Sequence, residues 1–175
     1  MMSKESGMTL VEIMVVVAIA ALVVSVVVVY SLPWISKETM RSTAFDVQTY
    51  LQLARIEAVS RNRDVRFVID TDNRQLAVWD GMTTASTVDD ELLYLAPISD
   101  SIDFANPQVG AAVTLSQIGG SDEYQCIFSS DGTVGTGAGG AVMVFGGDEY
   151  GKVSVFDAGG IQVEKWSNGA WHVGG

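Results

Sequence analysis

Glu12 is the side chain in this 175-residue sequence whose surroundings most demand a chemical role. It ends the segment Gly7-Met8-Thr9-Leu10-Val11-Glu12 and stands directly before residues 13–29, which carry no charge and one polar side chain, Ser25. As helix, at about 1.5 Å per residue, that run crosses or nearly crosses a hydrocarbon layer about 30 Å thick. A carboxylate in such a segment costs about 2.5–3.5 kcal/mol at mid-helix and less near the end, so it calls for a counter-charge.

The other candidates are weaker. Arg55, Arg61, Arg63 and Arg66 form the one basic concentration outside the N-terminus. They could meet phosphate or an acidic partner, but cations also suit a helix C-terminus, and Glu57 and Asp64 are near enough to pair with them. Cys126 is alone, so no intramolecular disulfide exists, and its setting in Tyr124-Gln125-Cys126-Ile127-Phe128 reads as a strand with a buried thiol. His172, between Trp171 and Val173, has no serine or cysteine arrangement around it, and no catalytic constellation emerges. Acidic groups stand at Asp89-Asp90-Glu91, Asp122-Glu123 and Asp148-Glu149. Calcium takes such oxygen ligands, and Asp148-Glu149 is the candidate loop, yet none has EF-hand spacing and solvated surface charge is the simpler reading. No cofactor is expected. Gly135-x-Gly137-x-x-Gly140 matches a dinucleotide fingerprint in form only, because strand-like Ala141-Val142-Met143-Val144-Phe145 follows where a helix N-terminus is required.

These residues need elements to hold them. Met40, Ala44, Val47, Leu51, Ala54 and Ala58 recur at spacings of four and three, which predicts an amphipathic helix over about residues 37–61 with that stripe packed on a domain. Pro33 removes one backbone donor, so a kink or brief break is expected near residues 30–34, where Tyr30 and Trp34 also suit a membrane interface. After Arg63 the period becomes two. Val65, Phe67 and Ile69 alternate with Arg66 and Val68, Asp72-Asn73 turns the chain, and Leu76 and Val78 continue it. Further strands are expected at residues 92–95, 113–115, 125–129, 141–145, 152–156 and 161–166, with residues 83–91 as loop. Asn168-Gly169 between Trp166 and Trp171 marks a hairpin.

Charge is unevenly spread. Residues 75–175 hold thirteen acidic and two basic side chains, Lys152 and Lys165, and so account for the formal net charge of −11. Such a head repels phosphate backbones, which disfavours nucleic acid as a partner.

The N-terminal segment resembles the class III signal of type IV prepilins and pseudopilins. An ordinary signal anchor does not explain Glu12, and a cleaved secretory signal calls for a more basic leader and a shorter apolar core. The resemblance implies that a prepilin peptidase cuts after Gly7 and methylates the new N-terminus at Met8. It also implies that Glu12 pairs with the N-terminal amine of a neighbouring subunit during filament assembly, two charges stranded in lipid becoming one compensated pair.

Ala54-Arg55-Ile56-Glu57-Ala58-Val59 with Arg61-Asn62-Arg63-Asp64-Val65, and later Phe128-Ser129-Ser130-Asp131-Gly132-Thr133, are similar to the GspH/FimT family. That resemblance implies an α+β, pilin-like fold, with a long helix packed on an antiparallel, β-sandwich-like head. The expected divisions are a leader at 1–7, a membrane and assembly helix at 8–32, an amphipathic stem at 33–63 and a β-rich head at 64–175. The implied protein is a non-enzymatic minor pseudopilin of type II secretion, the alternative being a type IV minor pilin in pilus assembly, DNA uptake or ligand binding. Its implied partners are prepilin peptidase, other pilin or pseudopilin subunits, an inner-membrane assembly platform and the lipid bilayer. The implied location is the bacterial inner membrane, single-pass with a periplasmic head. Two departures stand out. Many relatives carry proline where this chain has Val29, and the basic Gly-Arg-x-Arg motif of DNA-uptake members is replaced by Gly159-Gly160-Ile161-Gln162.

Overall fold

The computed structural model describes residues 9–81 and 91–173, without the side chains of 28–33. One helix, α1 (Leu10–Arg61), runs for 52 residues. Thr9 caps its start. The Thr9 hydroxyl accepts the Glu12 N–H and the Glu12 carboxylate accepts the Thr9 N–H, a reciprocal capping box. Asn62, in left-handed conformation at φ 51°, ends the helix by turning its N–H back to the last carbonyls.

Of the kink or brief break expected near residues 30–34, the break is absent: helix continues through Pro33. Proline removes one donor from one turn, and the intact turns on both sides carry the chain across that gap. The apolar segment and the amphipathic stem are therefore halves of a single element. Leu10–Val27 is long and apolar enough to cross a membrane, and none of it is buried against the rest of the chain. All six stripe residues of the second half, from Met40 to Ala58, are buried in the core.

Among the described residues nine strands follow: β1 (Val65–Asp70), β2 (Gln75–Asp80), β3 (Glu91–Pro97), β4 (Ser116–Gln117), β5 (Glu123–Phe128), β6 (Gly140–Gly146), β7 (Glu149–Val155), β8 (Ile161–Ser167) and β9 (Ala170–Val173). They form two antiparallel sheets, ordered β3-β2-β1-β5-β4 and β6-β7-β8-β9. The stem touches both, and Phe67, Phe128, Leu51, Ile102 and Val144 belong to one shared core.

Two expectations change. Residues 113–115 form no strand. Val113 and Leu115 point inward and are buried, but only an isolated bridge from Val113 to Val142 holds them, and the short β4 follows instead. In β1 both faces are covered, so Val68 and Arg66 are buried along with the inward row. The loop expected at residues 83–91 lies outside the described residues except for Glu91, which opens β3. Asn168-Gly169 does make the β8–β9 hairpin. Ser167 pairs with Ala170, and both turn residues have positive φ, 51° and 78°.

Glycines set how closely the second sheet approaches the stem. A Cβ on Gly146 would stand 3.0 Å from the Ser36 carbonyl oxygen and 3.1 Å from the Met40 Cβ.

Candidate functional site

The N-terminal site is described from Thr9 onward, so Gly7 and Met8 lie outside the described residues. Glu12 stands in the first turn of α1 with exposed apolar neighbours Leu10, Val11, Ile13 and Met14. Its carboxylate accepts the Thr9 N–H at 3.4 Å, a long bond to its own cap. A carboxylate here is favoured by the partial positive charge of the helix N-terminus and retains capacity to accept from an external cation.

The four arginines do not converge on a common patch. Arg61 donates to Glu57 at 2.7 Å and to Asp80 at 3.1 Å, and stands 3.7 Å from Glu91. Arg63 reaches the same Asp80 oxygen at 3.4 Å. Asp80 is 3% exposed, so two cations enclose a nearly buried carboxylate where the helix ends and β2 finishes. Tyr94 on β3 donates its hydroxyl to Glu57 at 3.0 Å. The Arg61 hydrogen bond is the main cause that holds Glu57 below the usual carboxylate range, and the same bond raises Arg61; the bond to Glu57 raises Tyr94. Arg66 is only 7% exposed. Arg55 lies separately, its Nε packed against the turns at Gly132 and Gly159.

That packing explains the Phe128–Thr133 signature, whose spatial role is not visible from sequence. The Asp131 carboxylate accepts the Thr133 N–H and hydroxyl, and these bonds hold it below the usual range. The tight turn seats Gly132 on Arg55 and Val59 of the stem, and a Cβ on Gly159 would lie 1.9 Å from the Gly132 oxygen. The glycine string at 135–140 serves close packing too. Asp157 accepts the N–H groups of Gly137 and Gly139 at 2.9 and 3.2 Å, and strand β6 follows as the sequence implied.

A second charged junction escaped the sequence reading altogether. Glu149 on β7 binds Lys165 of β8 at 2.8 Å, Arg41 of the stem at 3.3 Å and Lys37 at 3.6 Å. The Lys165 hydrogen bond, with the charges of all three cations, lowers its pKa. The candidate calcium loop is thus a two-residue turn, Gly147-Asp148, followed by a carboxylate already engaged by three cations. Among the described residues no group of three or more His, Cys, Asp or Glu side chains is arranged to hold a metal ion. Burial pushes the Cys126 thiol up to about 12, which keeps it protonated and unreactive at neutral pH. His172 is exposed at the sheet edge, its Nε2 3.1 Å from the Ser167 carbonyl oxygen.

A helix whose first half is apolar and uncovered, and whose second half fills the core of an antiparallel β head, defines a pilin-like subunit. The chain belongs to the GspH family: residues 43–160 match the family described as Type II transport protein GspH. Residues 2–28 match the prokaryotic N-terminal methylation motif, which implies processing by a prepilin peptidase and assembly with pilin or pseudopilin subunits. Among curated proteins, none matches. The fold is similar to crystal structures of the Pseudomonas aeruginosa PAO1 type IV minor pilin FimU. One has 19% identity and a TM-score of 0.55, covering 73% of this chain and 90% of that one. The other has 21% identity and a TM-score of 0.53, covering 71% and 91%. The minor pseudopilin EpsH from the type 2 secretion system of Vibrio cholerae aligns at 16% identity and a TM-score of 0.48, over 71% of this chain and 94% of that one.

Proposed function

We propose that the chain is a minor pseudopilin, a structural subunit of the periplasmic filament of a type II secretion system. The observation that carries this reading is Glu12, an exposed carboxylate in the first turn of an uncovered apolar helix. Cleavage after Gly7 places the new amine on Met8, one residue before the Thr9 cap. The helix of each stored subunit lies in the inner membrane, where both its amine and its carboxylate are costly. Docking brings the Glu12 carboxylate of one subunit to the amine of its neighbour, and the compensated pair favours entry into the filament. The head remains in the periplasm and supplies partner choice.

The description of the matched family, Type II transport protein GspH, is consistent with the secretion reading. The internal engagement of Arg61 and Arg63, and a Gly159-Gly160-Ile161-Gln162 stretch without arginine, speak against DNA capture through these residues. The likeness of the fold to FimU supports one alternative, a type IV minor pilin.

In-cell crosslinking of the native chain, read by mass spectrometry, tests the proposal. Neighbours that are pseudopilins of a secretion system are the expected result. Neighbours that are a major pilin and pilus minor subunits would overturn it in favour of the alternative.

A further inference from the structure

An exposed sheet edge carries unpaired N–H and C=O groups that can take up a strand from another chain. Among the described residues, three of the four sheet edges are guarded against this. The outer groups of β6 are engaged by residues 103–114: Ala112 accepts the Met143 N–H, Thr114 donates to the Ala141 carbonyl, and Asp103 exchanges both bonds with Phe145. The β4 edge is two residues long, and β3 starts at Glu91, ends at Pro97 and pairs with β2 through a register shift. The β9 edge is the exception. It reads Ala170-Trp171-His172-Val173, without lysine, arginine, carboxylate or proline, and its register is unbroken.

The ladder fixes which groups of β9 are free. Phe156 donates its N–H to the Gly160 carbonyl, so even-numbered residues of β8 bond toward β7 and odd-numbered ones toward β9. Lys165 and Ser167 therefore exchange bonds with His172 and Ala170, and the N–H and C=O groups of Trp171 and Val173 point out of the edge. Among the described residues no other segment pairs with them, and Val173 is 67% exposed.

Beneath this edge lies an apolar groove. His172 pairs with Lys165 and Lys165 with Gly151, where a Cβ would stand 2.9 Å from the Met40 sulfur, so His172 is on the stem side of the sheet. The groove there, of about 490 Å³ between stem and sheet, is walled by Met40, Ala44, Phe45, Val163 and His172. Phe45 is exposed in it. A strand added to β9 would bond to Trp171 and Val173 and send alternate side chains into this groove. Lys37, Arg41 and Lys165 all bind Glu149, and Glu38 and Asp148 adjoin them in the sequence, so the surroundings carry no net charge to select an ionic ligand.

Size and position identify the occupant. A ladder through Trp171 and Val173 with one groove buries too little to hold a freely diffusing protein against the cost of association. It suffices for a chain already held alongside, whose effective concentration is high. The helix that walls the groove from Met40 is the one whose uncovered half, Leu10–Val27, carries the methylation motif of assembling subunits, and exposed Trp34 and Ile35 continue its apolar surface toward the groove. We propose that β9 and the groove beneath it receive an extended segment, apolar at alternate positions, from the neighbouring pilin-type subunit of the filament. The apolar helix brings the neighbour in, and the β9 edge fixes head against head. This rests on the filament role proposed above.

Photocrosslinking of the full chain in cells of its native host tests this, with p-benzoylphenylalanine placed singly at Val16, Phe45 or Val173. Expected are adducts to a pilin-type subunit from all three positions, those from Phe45 and Val173 falling in one extended segment. Val173→Pro removes an outward N–H that bonds nothing within the chain, so the melting temperature should hold. It should lower the Phe45 adduct about fivefold, the worth of one backbone hydrogen bond. Val173→Lys keeps the backbone intact and should lower the adduct as much, and it decides the matter if the proline variant melts early. Adducts from Val16 without any from Phe45 or Val173 overturn the docking and leave the filament role standing. Loss of the Val16 adducts as well overturns both. Adducts from Val173 to a second copy or to a secreted protein overturn the choice of partner, and yields unmoved by either substitution overturn the strand pairing.

Discussion

At the residue scale, charged side chains here serve two different ends, and substitution separates them. Among the described residues Glu12 accepts one long bond, from its own cap, so its removal should barely affect folding. Glu12→Ala is expected to leave cleavage after Gly7 intact while filament incorporation is lost, read by immunoblot of processed chain and by filament recovery. Asp80 is the opposite case, nearly buried and held by Arg61 and Arg63. Removing both arginines strands its charge, which should cost about 3–5 kcal/mol, whereas Asp80→Asn leaves two cations free to turn to water and should cost about 1 kcal/mol. Urea unfolding of the three chains checks that order. Glu57 and Glu149 add a pH dependence. Their folded pKa values lie below the ordinary carboxylate value, so the unfolded chain binds more protons. The stabilisation is full above about pH 4.5 and falls as pH drops through the folded values, so the melting temperature should be flat near neutrality and decline in acid. Glu149→Gln should shallow that decline. Glu57 was legible as a partner of Arg61 because it lies one helical turn away. Asp80 was not, since only the β1–β2 hairpin brings it back to the helix end.

At the scale of elements, periodicity was read correctly where one face alone is buried. The Met40–Ala58 stripe is the clearest instance, because a helix with a single covered face must repeat at three and four. In β1 the same reasoning placed Arg66 outward, and it failed because neighbours cover both faces. At Val113 and Leu115 inward side chains are present without a ladder, so burial and strand pairing part company. The contact between the Gly132 and Gly159 turns was hidden for another reason. No local pattern announces that two tight turns 27 residues apart will press together on a stem arginine. Gly159→Ala is the sharp test of that contact. Its φ of +78° is strained for alanine, and the added Cβ would meet the Gly132 backbone, which has no flexible end to move aside. A loss of about 2–4 kcal/mol is expected from strain and overlap together. Gly169→Ala shares the positive φ but meets nothing within 4 Å, so it should cost only about 1 kcal/mol. Equal losses would mean that the two turns do not bear on each other.

At the scale of the whole molecule, one helix divides two tasks between its halves. The division predicts that they can be parted. The core is built from Met40 onward, and Leu10–Val27 contributes no burial to it. Removing residues 1–33 therefore deletes the apolar surface and leaves the packed stem, both sheets, the Glu149 junction and the Asp80 junction in place. The shortened chain should be water-soluble and unfold cooperatively, with a melting temperature within a few degrees of the full chain in detergent, because exposed helix adds little to a packed core. Removing residues 1–48 instead takes away Met40, Ala44 and Val47, which are among the most deeply buried side chains of the stem. Lost large core side chains cost about 2–5 kcal/mol each, so this second chain should not fold against a total stability of about 5–15 kcal/mol. Calorimetry on both decides it. If the first truncation also unfolds, the anchor half supports the head through contacts other than core burial, and the two halves of α1 are one structural unit in function as well as in geometry.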